Sequence, residues 1–157
     1  MRKSEREITE FNEITDVLNR CNTIRLGLNG EYPYVVPLSF GYEISDSGVI
    51  IYVHGAEKGK KHDMIKDCGR VCVEADIFKG YTEIKTGITA EYESIIGFGK
   101  IEKAEGNEAF KGLDLLLEHC GYKGYAYSKR AAAATLVYKI ILESITGKRN
   151  YVTEENL

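Results

Sequence analysis

The chain contains no tryptophan and only two prolines and three histidines among its 157 residues. It has no surplus of positive charge: 21 Lys and Arg against 24 Asp and Glu leave a formal net charge of −3. That balance gives no reason to expect nucleic acid or an anionic membrane surface as a partner. No apolar run approaches the roughly 20 residues that span a bilayer. The opening MRKSEREITE has no apolar signal-peptide core, so a cytoplasmic location is expected. The four cysteines, Cys21, Cys68, Cys72 and Cys120, match no zinc pattern, because Cys68 and Cys72 form a lone C-x3-C. No metal site is expected, and the thiols read as small buried hydrophobes.

What is present is 43% hydrophobic residues, 16 Gly and 11 Tyr. That composition fits one globular domain over 1–157, with a frayed tail from about 150. Abundant Gly and aromatics with little Pro suit curved, bulged strands.

Ser4 and Glu7 form a capping box. Ile8, Phe11, Ile14, Leu18 and Cys21 then recur at helical spacing, which predicts one N-terminal helix. Ile24, Leu26 and Leu28 alternate with polar neighbours as in a half-buried strand, and Asn29-Gly30 signals a hairpin. Tyr34–Tyr42 reads as one strand, and Pro37 within it implies an edge or a bulge. Ser45-Asp46-Ser47-Gly48 is the next turn, and Val49–Val53 the third strand. A short helix is expected over Asp63–Cys68, ending at Gly69, and a fourth strand over Val71–Ile77. The polar stretch Lys79–Thr89 resists assignment. Glu91–Glu102 reads as a long strand containing Gly97 and Gly99. These two share a face and either leave room for a flat ligand or mark a bend. Asn107 is expected to cap a helix stopped by Gly121. Gly124–Ala134 is ambiguous, and Leu136–Ile145 is the last strand, with Thr146–Arg149 closing the ordered part. Strands with helices inserted between them, rather than alternating strictly, indicate a mainly β fold, a small antiparallel barrel with peripheral helices.

The segment Val49–Lys61, VIIYVHGAEKGKK, stands out chemically. A strand runs into His54, a Gly-containing turn follows, and Lys60 and Lys61 open a helix. Backbone donors and two ammonium groups at such a junction suit a phosphorylated ligand, although Glu57 weakens the field. A solvated basic turn is the plainer alternative. His62 reads as a surface residue and His119 as a helix-end cation. Lys148 and Arg149 read as a solvated terminus in preference to a second phosphate contact. Tyr122, Tyr125 and Tyr127 fit either a substrate mouth or a dimer interface.

The chain resembles the FMN-binding split-barrel flavoproteins, the pyridoxamine 5′-phosphate oxidase-like group, and within it the nitroimidazole-resistance (Nim-type) branch. The resemblance is carried by Met1-Arg2-Lys3 with Arg6-Glu7-Ile8, by VVPLSFGY at 35–42, by YVHGA at 52–56 with GKK at 59–61, by YESIIGFGK at 92–100 and by ITGKR at 145–149. It implies a six-stranded antiparallel split β-barrel of Greek-key type, homodimeric, with FMN at the dimer interface. It places Pro37, Leu38, Ser39, Phe40 and Gly41 along the flavin ring. Tyr52, Val53, His54, Gly55 and Ala56 would pass beside the ring and ribityl chain. Gly59, Lys60 and Lys61 would lie at the phosphate, with Tyr92, Ser94 and Ile95 close to the same site. His54 is the candidate catalytic residue, able to supply a proton near neutral pH. The implied activity is an FMN-dependent oxidoreductase that passes electrons to a small acceptor such as a nitroaromatic. The alternative is a non-catalytic flavin- or haem-binding protein for storage or sensing. No dinucleotide fingerprint identifies an electron donor.

Overall fold

Alternating burial along 24–28 builds the first wall of the core. Ile24, Leu26 and Leu28 turn inward and are almost completely buried, while Arg25 faces out. The same alternation recurs along 70–76 and 93–101, whereas 51–53 and 136–138 are buried on both faces. The computed structural model describes residues 3–45, 48–128, 130, 132 and 135–153. The elements are β1 (Glu7–Ile8), α1 (Phe11–Arg20), β2 (Ile24–Leu28), β3 (Tyr34–Leu38), β4 (Gly41–Ser45), β5 (Gly48–Gly55), α2 (Lys60–Asp67), β6 (Arg70–Ile84), β7 (Gly87–Lys103), α3 (Asn107–His119) and β8 (Leu136–Asn150). All strand pairings are antiparallel, in the order β3-β2-β6-β7-β8-β5-β4, with β1 added on β8.

Among the described residues the sheet therefore has eight strands rather than the expected six, and hydrogen bonds do not close it into a ring. Its two edge strands, β3 and β4, are nonetheless joined by only Ser39 and Phe40. Three Cα steps reach about 11 Å at most, so the sheet must curl until its edges nearly meet. The single strand expected over Tyr34–Tyr42 is thus two strands with a corner between them. Pro37 lies on an edge strand, where its missing N–H costs little.

α1 contributes Ile14, Val17 and Leu18 to the core inside the curl, which also holds Phe40, Ile51, Val53, Val73 and Ile140. α3 packs outside, over β4, β5 and β8, around Tyr52 and Val137. Its close approach requires a glycine, since a Cβ at Gly41 would sit 2.3 Å from the Leu116 nitrogen.

Other boundaries differ from the sequence expectations. The N-terminal helix begins only at Phe11. Ser4–Arg6 form a 3-10 turn, and Glu7–Ile8 pair with Lys148 and Gly147. Burial of Ile8 against Gly147 outweighs the capping-box signal. α2 starts at Lys60, after Gly59 with φ +125°. α3 is preceded by Gly106 with φ +55°, so Asn107 is its first residue rather than its cap. The 79–89 stretch is the outer part of a long β6–β7 hairpin, and β8 runs on through Thr146–Arg149 to Asn150. Asp46 and Ser47 of the expected turn, part of the ambiguous 124–134 stretch and the tail from Glu154 lie outside the described residues. No helix among the described residues is long and apolar enough to cross a membrane.

Candidate functional site

The β3–β4 corner and the β5–α2 junction come together at one edge of the sheet. Gly41 pairs with Tyr52, so the Ser39–Phe40 link runs past Val53 and His54. From α2, Lys61 folds back across β5. Its Nζ donates to the His54 carbonyl at 3.3 Å and lies over Gly55. The Lys60 ammonium sits 4.7 Å from the centre of the Tyr34 ring and ties α2 to β3. Pro37–Gly41, Tyr52–Ala56 and Gly59–Lys61 thus form one neighbourhood.

Tyr92, Ser94 and Ile95 lie elsewhere, on β7. His54 pairs with Val137 near one end of β8 and Ser94 with Lys148 near the other. These β8 positions are about 36 Å apart along the strand at 3.3 Å per residue. One copy of the chain therefore splits the expected residues into two groups.

Side-chain direction divides them further. Phe40 is buried with its ring centre 4.4 Å from that of His119. Tyr52 is buried, with its hydroxyl 2.8 Å from Glu43 Oε1 and 2.5 Å from Glu108 Oε1. Val53 and Ile95 point into the core. These four have only backbone atoms to offer a ligand. Pro37, Ser39, His54, Ala56, Gly59 and Lys60 are exposed, and Lys61 is half-buried.

The electrostatics favour an anion. Lost hydration lowers the Lys61 pKa from its ordinary value. Neither Lys60 nor Lys61 has a carboxylate partner among the described residues. Lost hydration, and then the Lys61 charge, lower the His54 pKa, so its imidazole is neutral at pH 7.

Several residues take roles other than those expected. His62 is half-buried, with Nδ1 on the Tyr138 hydroxyl, rather than at the surface. His119 is more than a helix-end charge, because its Nε2–H donates to the Cys21 carbonyl at 2.8 Å and its ring covers Phe40. Gly97 and Gly99 do not form a ligand floor. A Cβ at Gly97 would meet Leu142 Cδ1 at 2.9 Å, and one at Gly99 would meet the Ile141 carbonyl oxygen at 2.2 Å. The register shifts at Phe98/Gly99, so the pair marks a bend. Lys148 lies over the Tyr92 ring at 5.8 Å and Arg149 contacts Glu13 at 3.1 Å, so neither is a free terminus. Tyr127 donates to Asp114 at 2.7 Å, while Tyr122 and Tyr125 stay exposed. Burial pushes the Cys21 thiol up to about 11, in keeping with an inert cysteine.

One pair escaped the sequence reading. Glu93, only 3% exposed, accepts two hydrogen bonds from Arg20 at 2.7 and 2.8 Å, which hold its carboxyl down at about 2. The pair fixes α1 beneath the Tyr92–Ser94 group. Its partners lie on different elements, and no local pattern announces it.

The family model described as pyridoxamine 5′-phosphate oxidase matches residues 10–149. The chain belongs to this family. No curated protein matches it. Among solved structures, this pyridoxamine 5′-phosphate oxidase family member is similar to a candidate 5-nitroimidazole antibiotic resistance protein from Bacteroides thetaiotaomicron. That match has 26% identity and a TM-score of 0.79, covering 91% of this chain and 86% of that one. It shares its fold with an FAD and haem binding protein from Mycobacterium smegmatis, at 16% identity and TM-score 0.74, covering 96% and 78%. It also shares it with an FAD-binding protein from Mesorhizobium loti, at 22% identity and TM-score 0.65, covering 93% and 98%.

Proposed function

We propose that the protein is a cytoplasmic, FMN-dependent oxidoreductase of the split-barrel type. It works as a homodimer with FMN at the subunit interface and passes electrons to a small acceptor such as a nitroaromatic. The observation that carries this reading is the β5–α2 junction, where a half-buried lysine with no acidic partner among the described residues, a second lysine and a neutral imidazole face an edge strand. An anionic group at one end and a flat, polar-edged ring at the other match that arrangement. Bound FMN supplies the electron transfer. Lys60 and Lys61 neutralise the phosphate, the exposed edge of β3 and the 39–41 corner offer backbone donors and acceptors to the ring, and His54 meets the acceptor. The separation of Tyr92 and Ser94 from this junction supports a site completed by a second copy, as does the family likeness.

The absorption spectrum of the purified protein is the first test. Flavin bands that bleach with a nicotinamide donor and return with a nitro compound support the enzyme. A colourless protein that ignores added FMN removes this reading. The second reading is a non-catalytic flavin or haem binder. It draws on His54, an exposed imidazole held in the neutral form that ligates iron. A Soret band, or bound flavin that no donor reduces, would favour it.

A further inference from the structure

The face of the sheet that carries α1 holds another cavity, far from the β5–α2 junction. It opens where the Ser4–Arg6 turn, the outer part of the β6–β7 hairpin and the end of β8 meet, and it measures about 350 Å³. That volume lies within the range of small-molecule sites. The ladders fix its face. Arg149 pairs with Glu93 and reaches Glu13 on α1, while Glu93 accepts from Arg20 on α1. Thr89 follows the same alternation along β7, and its partner Thr82 puts Ile84 on that side too. Lys148 and Tyr92 lie together on the opposite face. Arg149 is about 40 Å along β8 from Val137, the partner of His54, at 3.3 Å per residue.

Three donors line this cavity. Arg6 is half-buried, and its guanidinium has no acceptor among the described residues. Arg149 gives Nη1 to Glu13 at 3.1 Å, and its other N–H groups have no acceptor among the described residues. Thr89 Oγ1 accepts from Asn150 Nδ2 at 3.1 Å, so its own hydrogen is left to donate. Two planar guanidinium forks in one partly dehydrated recess match a carboxylate. The nearby acids limit its charge. Glu13 offsets Arg149 and the exposed Glu5 stands on the rim, so one negative charge is favoured and two are opposed. The rest of the wall offers apolar surface from Ile84 and Val152, both half-buried. Val152 is held in place by its N–H on Glu91 Oε1 at 2.8 Å.

We infer that this cavity binds a small monocarboxylate with a short apolar body. The carboxylate lies between Arg6, Arg149 and the Thr89 hydroxyl, and the carbon chain rests on Ile84 and Val152. Neither a flavin nor a second copy of the chain is needed for it.

Isothermal titration of the purified full chain with sodium hexanoate is the test. A saturable heat is expected, with a dissociation constant of about 1 mM or lower. Acetate, which lacks the body, should bind about tenfold more weakly. Dianionic inorganic phosphate should also bind more weakly, and hexan-1-ol, which lacks the charge, should give no saturable heat. Arg6→Gln removes a side chain with no partner to lose and should keep the far-ultraviolet circular dichroism. It should weaken hexanoate about tenfold, and Arg149→Lys, which keeps the charge but not the fork, should weaken it severalfold. Lys61→Ala, at the other anion site, should leave hexanoate binding unchanged. No saturable heat overturns the proposal, as does equal affinity in both arginine variants. Phosphate binding tighter than hexanoate, or hexan-1-ol binding as well, overturns the monocarboxylate. Loss of hexanoate binding in Lys61→Ala alone would put the carboxylate at the β5–α2 junction instead.

Discussion

The Lys61 ammonium lies 2.7 Å from the point that a Cβ on Gly55 would occupy. Lys61 can cross β5 and reach the His54 carbonyl only because residue 55 has no side chain. Gly55→Ala must displace a flexible side-chain end rather than backbone, so the fold should tolerate it. We expect a melting temperature within a few degrees of the parent, with FMN affinity reduced about tenfold, or about 1.4 kcal/mol. Lys61→Ala should lose a similar amount. Equilibrium flavin titration checks both, and unchanged affinity in Lys61→Ala removes that lysine from the phosphate site.

His54 should act in turnover rather than in cofactor retention. Its lowered pKa means the protonated form accumulates only below about pH 6.5, the ordinary histidine value. If His54 donates the proton, nitro-compound reduction should fall as pH rises through that acidic range. His54→Gln should flatten the profile while binding FMN normally. A variant with the parent pH profile would leave His54 as wall.

Arg20 and Glu93 should govern acid stability. The Glu93 carboxyl sits at about 2 rather than 4.5, chiefly through its hydrogen bond from Arg20. A depressed carboxylate stabilises the fold above its unfolded pKa, and that contribution fades as pH falls from about 4.5 towards 2. Arg20→Ala leaves the buried Glu93 with the Tyr151 hydroxyl and Lys79 at 3.5 Å but without its two strong hydrogen bonds, and should cost about 2–3 kcal/mol at pH 7. Urea unfolding at pH 7 and pH 3 checks this. Glu93→Gln should show a shallower loss across that window than the parent.

His119 should hold the corner. Removing its ring exposes Phe40 and leaves the Cys21 carbonyl without its donor. His119→Ala should lose about 1–2 kcal/mol by urea unfolding. His119→Gln, which keeps a donor, should recover part of it.

The clearest sequence signals came from residues whose neighbours along the chain share their fate. Ile24, Leu26 and Leu28 alternate because one wall faces one core, and β5 is legible as an apolar run. The site segment 52–61 was legible because its parts are contiguous. Other features depend on partners far away in sequence. Ile8 reads as helical until Gly147 is beside it, and Gly97 and Gly99 are ambiguous until Leu142 fills the space. The 79–89 stretch buries no residue fully within one chain, so it carries no apolar alternation to read in the sequence.

The two-residue link between β3 and β4 also bears on how the chain assembles. A connection as short as that of any hairpin in the sheet joins the two ends of its strand order. The β2–β3, β4–β5 and β6–β7 hairpins can each form locally, but the seam exists only after β6, β7 and β8 have docked between them. The ligand neighbourhood at that seam therefore depends on the whole sheet being in place. A cofactor seated there would clasp the whole sheet rather than one loop, and its release would be felt as a loosening along every ladder.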